Sequence, residues 1–230
     1  MDAFRAAGND VFLVDINEAA ADVAVAGPLA GRARKLVSDL SQEGAPAVAV
    51  AAAIDAFGGL DTLFVNAAVI RSAPLAQWTR EMWNGSIALN LSAPFFLTQA
   101  AAPYLARSAN ASIIFSSSTG AVRGHAGMPA YHATKTGLLG LCRALADELA
   151  PQRIRVNCIM PGWIDTPFNE PYWSFQSDRQ AAEAALLRQI PMGRQGTPED
   201  VAGVVTFLAS PAARYVTGSS IVIDGGYLAV

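Results

Sequence analysis

Tyr131 and Lys135 are the residues of this sequence whose types and spacing could most directly carry out a reaction. They stand four positions apart in a segment that reads as a helix, so their side chains share one face. A phenol with an ordinary pKa near 10 exchanges protons poorly at neutral pH, but an adjacent ammonium favours the phenolate and lowers that pKa. We therefore predict that Tyr131 exchanges a proton with a substrate oxygen and that Lys135 lowers its pKa. An amphipathic helix with solvated polar tips is the alternative.

Three serines close the strand-like segment IIFSSS that precedes this pair, and Ser118 stands thirteen positions before Tyr131. Together with Tyr131 and Lys135, this arrangement resembles the short-chain dehydrogenase/reductase family, in which a serine-ended strand precedes a YxxxK sequence. The resemblance implies that Ser118 orients the substrate carbonyl, although counting from Gly120 would favour Ser117. The other serines are expected to satisfy backbone groups where the strand ends.

The resemblance extends over essentially the whole chain. LDTLFVNAAV at 60–69 is similar to the family's NNAG strand end, with its first Asn and its Gly replaced, and this similarity implies that Asn66 and Ala67 contact the cofactor. Asn90, in SIALNLSAPFF, matches the family's fourth catalytic residue, which holds a water that links the lysine to solvent. A buried strand terminus and a hydrogen-bonded core asparagine are the alternatives at these two places.

Two further segments bear on the cofactor. IRVNCIMPGWIDT at 154–166 resembles the strand and turn that cradle a nicotinamide, which implies contacts, beside those of Tyr131 and Lys135, from Pro161, Gly162, Ile164 and Thr166. Asp15 ends VFLVD where the family places the acid that binds the adenosine ribose, and its carboxylate would repel a 2′-phosphate. NAD is therefore expected in preference to NADP. Asp39 matches the adenine contact, with simple turn chemistry as the alternative.

One departure from the family pattern concerns the pyrophosphate. The family begins with a strand and a TGxxxGxG loop that binds this group at a helix N-terminus, and neither is present here. MDAFRAAG matches the end of the following helix, so roughly 20 residues of the pattern are absent, including a strand from the middle of the sheet. The glycine-containing segment TGAVRGHAG at 119–127 is the only other candidate for a phosphate loop. It is rejected because it leaves no room for the helix that must follow such a loop before Pro129. We expect either that Met1 lies inside a longer native chain or that normal dinucleotide binding is lost.

A substrate pocket is expected next to the nicotinamide segment. WIDTPFNEPYWSF at 163–175 lies where the family has a mobile lid and is rich in aromatic side chains, which bind apolar groups or stack on sugar rings. Packing at an oligomer interface is the alternative use of these aromatics. The candidate substrate residues are His125, Trp163, Phe168, Tyr172 and Trp173. Polyols, steroids and small ketones all remain open as substrates.

Short β-branched runs that alternate with longer Ala-rich stretches predict the elements that must position these residues. We predict strands at Val11–Val14, Arg34–Val37, Thr62–Val65, Ile113–Ser117, Arg155–Ile159 and Ser220–Ile223. We predict helices at Glu18–Leu29, Gln42–Phe57, Arg80–Arg107, Ala130–Ala150, Asp178–Gln189 and Pro198–Ala209, with Thr79 and Thr197 as N-caps. The fold class is therefore α/β, a doubly wound parallel sheet of the Rossmann-like type, in one domain over residues 1–230.

Composition narrows the class of protein and its partners. Hydrophobic residues make up 52% and charged residues 15%, against about 45 to 50% and about 25% in soluble domains, which excludes disorder and favours a homo-oligomer, a tetramer or dimer. The net charge of −3 and the absence of a basic run argue against nucleic acid as a partner. Cys142 and Cys158 have no metal-site spacing, and no apolar stretch reaches the ~18 residues of a membrane span. No metal, no membrane and a cytoplasmic location are expected.

Three functions are compatible with these residues. The first is an NAD-dependent alcohol or ketone oxidoreductase that acts on a small molecule. The second is a non-catalytic subunit that keeps the fold and the interface, and the third is an epimerase or dehydratase that reuses Tyr131 and Lys135. The complete set of Asn90, Ser118, Tyr131 and Lys135 argues against the second, and the short C-terminal region leaves no substrate domain for the third.

Overall fold

The computed structural model describes all residues 1–230, and its strands are parallel within two sheets. The first sheet pairs β1 with β2, and the second has the order β3-β4-β5-β6. The strands are β1 Val11–Asp15, β2 Ala33–Val37, β3 Thr62–Val65, β4 Ser112–Ser116, β5 Arg155–Pro161 and β6 Ser220–Ile223. All six predicted strands are therefore present, and the Rossmann-like α/β class is confirmed.

Helices fill the connections between the strands. They are α1 Asp2–Ala6, α2 Glu18–Val25, α3 Ala45–Phe57, α4 Arg80–Ile87, α5 Ala93–Leu105, α6 Pro129–Leu149, α7 Glu170–Trp173, α8 Arg179–Gln189 and α9 Pro198–Ala209. Both predicted N-caps are found: the Thr79 hydroxyl accepts the Met82 amide, and Thr197 forms a capping box with Asp200. No helix combines the length and the apolar character that a membrane crossing requires.

Two predicted helix boundaries were wrong for local reasons. Helix α2 ends at Val25 rather than Leu29, because Gly27 has a φ of +97° and Pro28 has no amide proton to continue the helix. Helix α3 begins at Ala45 rather than Gln42, because the Asp39 carboxylate accepts the Ser41 amide and holds that segment as a turn.

The predicted helix Arg80–Arg107 is interrupted and ends at Leu105. Residues Ala88–Ser92 form a π-helical turn between α4 and α5. A π-turn adds one residue to a helical turn and occurs often at functional sites, because it re-aims the side chain that it carries. Here that side chain belongs to Asn90, which is 1% exposed.

The main hydrophobic core lies under both sheets on one face. Successive residues of β4 point to opposite sides of the sheet. Ile113 and Phe115 therefore pack with α5 and α6, while Ile114 packs with α9. Val14 of β1 and Leu36 of β2 pack against the same main cluster. Helices α3 and α5 contact each other below the sheets, and this contact connects the two sheets at the place where their strands do not pair.

The division of the sheet falls between β1 and β3, where the family resemblance places the absent strand. Residues of β1 are half-buried or exposed, whereas every residue of β4 is buried. An unpaired strand edge leaves backbone groups to solvent and weakens local protection.

We therefore expect amide hydrogens of residues 11–15 and 33–37 to exchange faster than those of residues 112–116 and 155–160, because β1 and β2 form an isolated pair. Hydrogen exchange followed by mass spectrometry on peptides from the four segments measures this directly. Equal protection of the two sheets would contradict the division.

Candidate active site

Helix α6 is held against the carboxyl end of β4 by hydrogen bonds to the serine run. The Lys135 ammonium donates to the Ser116 carbonyl at 2.6 Å, and the Ser117 hydroxyl donates to the Lys135 carbonyl at 2.8 Å. Lys135 is only 3% exposed, and this burial lowers its pKa to about 8. The ammonium is thus fixed below the sheet end.

Tyr131 lies one helical turn before Lys135 and is also buried. Burial raises the pKa of its phenol, and the neighbouring Ser118 hydroxyl opposes the rise. The net direction is upward, opposite to the lowering expected from Lys135, because burial outweighs it in this structure. The ammonium lies 5.6 Å from the centre of the Tyr131 ring, and its hydrogen bond goes to Ser116.

A small cavity of about 40 Å³ opens at the carboxyl ends of β4 and β5. Ser118 and Tyr131 both line it, together with His125, Trp163 and Tyr172. Ser117 does not line it, because its hydroxyl is turned to α6. The geometry therefore favours the count that selects Ser118 as the serine that faces a substrate.

Asn90 connects three parts of the chain through its amide. Its Oδ1 accepts the Val69 amide at 2.8 Å, and its Nδ2 donates to the Val69 carbonyl at 2.9 Å and to the Thr134 hydroxyl at 3.3 Å. Asn90 therefore fixes the segment after β3 to α6. Its Nδ2 protons are used in these bonds, and Lys135 makes no hydrogen bond to it. Sequence reasoning missed Thr134, whose only signal was its place between Tyr131 and Lys135.

The segment after β5 follows the predicted nicotinamide turn. Gly162 is needed there for space, since a Cβ at this position would lie 2.7 Å from the Asp224 Cβ. The Thr166 hydroxyl and the Asn169 amide both donate to the Ile164 carbonyl, at 3.4 and 2.6 Å. Asn169 also lines the cavity. No local pattern marks Asn169 in the sequence, because only the fold brings it back to Ile164.

The residues predicted for the adenosine end lie on the other sheet. Asp15 follows Val14 at the end of β1 and accepts the Asn17 amide through Oδ1 at 2.8 Å, so its Oδ2 is unused. Asp39 is occupied by local turn bonds from Ser41 and Gln42, and the Ser41 bonds lower its pKa. Asn66 and Ala67 are exposed just beyond β3. These positions surround the division of the sheet.

The predicted aromatic residues pack against one another, but only some of them line the cavity. His125 lies 5.4 Å from the Trp163 ring centre and 5.8 Å from that of Tyr172, and all three line the cavity. Trp173 is 5% exposed and does not line the cavity; it packs in a small core with Leu186 and lies behind Trp163 and Tyr172, with ring centres 5.2 and 5.0 Å away. Phe168 is 40% exposed and lies 6.3 Å from the Tyr131 ring, outside the cavity lining.

The imidazole of His125 on the cavity wall is held in its neutral form. Burial, helped by the positive charge of Arg123, lowers the pKa of His125 to about 4, so its imidazole is uncharged at neutral pH. Cys142 and Cys158 are buried free thiols, as expected. No group of three or more His, Cys, Asp or Glu side chains is placed to hold a metal ion.

The chain is similar to several known proteins. A family model described as "Enoyl-(Acyl carrier protein) reductase" matches residues 2–228. The 3-oxoacyl-[acyl-carrier-protein] reductase FabG of Thermotoga maritima is 42% identical over 173 residues, which cover 75% of this chain and 68% of the relative. The 2-dehydro-3-deoxy-D-gluconate 5-dehydrogenase of Escherichia coli is 35% identical over 225 residues, which cover 97% of this chain and 87% of the relative.

One further relative and two solved structures are also similar. The match to human dehydrogenase/reductase SDR family member 4 is 39% identical and spans 63% of that protein. A crystal structure from Sinorhizobium meliloti 1021 superposes with a TM-score of 0.92 at 34% identity, covering 99% of this chain and 89% of the other. The TT0495 protein from Thermus thermophilus gives a TM-score of 0.87 at 36% identity, covering 100% and 92%.

The neutral His125 predicts an acid-sensitive fold. Its pKa is lower in the folded protein than the ordinary value of 6.5, so the unfolded chain binds the proton first and stability falls as pH drops from about 6.5 toward 4. Urea unfolding at pH 7 and pH 4.5 should show a larger loss for wild type than for His125→Gln. The same loss in both proteins would show that other groups dominate.

Proposed function

The chain belongs to the short-chain dehydrogenase/reductase family of oxidoreductases, and we propose that it interconverts a small alcohol and its ketone with Tyr131 as the acid–base. The observation that carries this proposal is the placement of Tyr131 and Ser118 in one small cavity with Lys135 buried beneath them. Enzymes of this family take the hydride to or from a nicotinamide dinucleotide, so the chain's own residues need to handle only the proton.

The proton is carried by the phenol. Because burial raises the pKa of Tyr131, this side chain is protonated at neutral pH and can give its proton to a carbonyl oxygen as that oxygen gains negative charge. In the opposite direction the phenolate accepts the proton of the alcohol. The buried Lys135 ammonium favours the phenolate when it forms, since an opposite charge near the ring stabilises it.

Ser118 is proposed to orient the reacting oxygen. Its Oγ accepts the Gly120 amide at 2.9 Å, so the hydroxyl proton remains available for a substrate oxygen in the cavity. Asn90 is proposed as a support for the site through its bonds to Val69 and Thr134. A water relay at Asn90 stays a prediction from the family resemblance.

The residues present fit the ends of a dinucleotide but not its centre. Asp15 has a free carboxylate oxygen for a ribose, and Ile164 and Thr166 lie beside the cavity on the nicotinamide side. In the space that separates β1 from β3, however, residues 1–230 place no strand and no glycine-rich turn whose amides face a pyrophosphate. NAD(H), in preference to NADP(H), is therefore proposed only from the residues at the adenosine ribose and at the nicotinamide. Both carboxylate oxygens of Asp39 already accept local hydrogen bonds.

The cavity supports a small substrate. The cavity is small, about 40 Å³, and the Trp163 and Tyr172 rings on its wall can contact the carbon frame of a substrate whose oxygen reaches Ser118 and Tyr131. His125 offers a neutral imidazole on the same wall. We propose an alcohol or ketone that presents both an apolar face and a polar group.

A non-catalytic subunit is the second candidate, and the divided sheet favours it specifically. Residues 1–230 offer no backbone amides for a pyrophosphate at the division between the two sheets, where a dinucleotide takes much of its binding energy, while the fold and its surfaces are present. A homo-oligomer is proposed in either case, since Phe207 of α9 and Val222 of β6 are exposed apolar side chains. A cytoplasmic location stays a prediction from the sequence.

Tyr131→Phe should lower turnover at least ~100-fold, because it removes the group that exchanges the proton while keeping the ring and its packing. The measurement is the rate of NADH oxidation with a panel of small ketones and hydroxyketones, alongside a thermal unfolding midpoint. Full activity in a folded variant would refute the assigned role. A folded wild-type chain that turns over none of these ketones would favour the non-catalytic subunit.

The adjacent serines provide a matched control for this experiment. Ser118→Ala removes a hydroxyl that faces the cavity, whereas Ser117→Ala removes one that faces α6. Turnover should fall in the first variant, and the unfolding midpoint should fall mainly in the second. The reverse result would mean that Ser117 is the carbonyl-orienting residue.

Asp15 should set the choice between cofactors. Its carboxylate repels a 2′-phosphate, and no arginine follows it in the next two positions, Ile16 and Asn17. Titration calorimetry should therefore give tighter binding of NADH than of NADPH, and Asp15→Ala should narrow the difference. Equal affinities in the wild type would show that Asp15 does not face the ribose.

A further inference from the structure

His132, the residue after Tyr131, connects two points of the loop that follows β4. Its Nδ1 lies 2.7 Å from the Gly120 carbonyl oxygen, and its Nε2 lies 2.9 Å from the His125 backbone nitrogen. A carbonyl can only accept and a backbone amide can only donate, so Nδ1 must carry the proton and Nε2 must be bare. The contacts therefore select one neutral tautomer of this imidazole.

The first contact leads to Ser118 through Gly120. The Gly120 amide donates to Ser118 Oγ at 2.9 Å, while the Gly120 carbonyl accepts from His132. The packing here is tight: a Cβ at Gly120 would lie 3.0 Å from His132 Nδ1 and 3.2 Å from Ser118 Oγ. The Ser118 oxygen and the imidazole thus hold the amide and the carbonyl of one residue.

The second contact leads to the cavity wall. The His125 amide is held by His132 Nε2, and the His125 ring packs against Trp163 and Tyr172 in the cavity lining. His132 therefore fixes both the residue proposed to orient the substrate oxygen and the loop that faces the rest of the substrate. Neither Asn90 nor Lys135 bonds to this loop through its side chain.

We propose that His132 is a positioning residue whose single tautomer aligns Ser118 through Nδ1 and the substrate-facing His125 loop through Nε2. The kinetic part of this proposal rests on the proposed function, while its geometric part does not. The two ring nitrogens hold different parts of the loop, so losing one hydrogen bond should have a different effect from losing the other. The Nδ1 bond supports turnover, and the Nε2 bond supports substrate binding.

The tautomer is tested without any activity. Nitrogen-15 NMR of imidazole-labelled wild-type protein at neutral pH should show His132 with its proton on Nδ1, and the His125 amide should be protected from exchange. In His132→Asn, whose amide can replace only Nδ1, that protection should be lost. A proton on Nε2 in the wild type, or a His125 amide that exchanges equally in both proteins, would overturn the proposal.

Kinetics separate the two halves. His132→Asn keeps a donor for the Gly120 carbonyl, so KM should rise about tenfold with kcat little changed. His132→Gln places an acceptor near the Nε2 position and loses the Nδ1 donor, so kcat should fall about 10- to 100-fold, as expected for a misplaced orienting group. Equal effects of both variants on kcat and KM would indicate a merely structural role and contradict the proposal.

Thr136→Val is the matched control. The Thr136 hydroxyl also links α6 to the loop after β4, donating to the Ala121 carbonyl at 2.8 Å, but Ala121 makes no hydrogen bond to Ser118 Oγ. This variant should lower the unfolding midpoint while kcat and KM stay within about twofold. If the wild type proves inactive, the proposed function fails, and crystal structures of His132→Asn and His132→Gln then decide: Ser118 should move only in the second.

Discussion

The site depends on one buried contact, the Lys135 ammonium on the carbonyl that ends β4. A buried ammonium is costly unless its protons find acceptors, so α6 can pack here only with Lys135 directed at the Ser116 carbonyl. The return bond from Ser117 to the Lys135 carbonyl fixes the rotation of the helix. These two hydrogen bonds set the rotation of α6 about its axis and its position along β4. Tyr131, one turn earlier in the helix, therefore faces the cavity that Ser118 lines.

The same contact explains how neighbouring serines diverge in role. Successive residues of an extended chain point in opposite directions, so Ser117 turns to the helix and Ser118 turns to the cavity. The Ser118 oxygen is then held by the Gly120 amide, and Gly120 in turn meets His132. A connected set of hydrogen bonds thus joins the end of β4 to the first two turns of α6.

The divided sheet places a different constraint on any dinucleotide. Asp15 belongs to the β1–β2 sheet, whereas Tyr131 stands over the sheet that contains β4. No strand hydrogen bonds join the two, and their relative position is held by the contact of α3 with α5 and by the core that they share. The adenosine and nicotinamide ends of the proposed site are therefore coupled through helix packing rather than through a continuous sheet.

The sequence by itself determined the elements and the main chemical pair. Short β-branched runs and longer Ala-rich stretches located all six strands and the longer helices, because these residue types favour strands and helices locally. The spacing of Tyr131 and Lys135 placed both on one helix face for the same reason. Tertiary structure alone decided that Ser118 faces the cavity, that Trp173 is core, that burial raises the Tyr131 pKa, and that His132 links Gly120 to His125. These outcomes depend on which residues far apart in the sequence come into contact and on how far that contact buries them. A local sequence pattern does not contain this information.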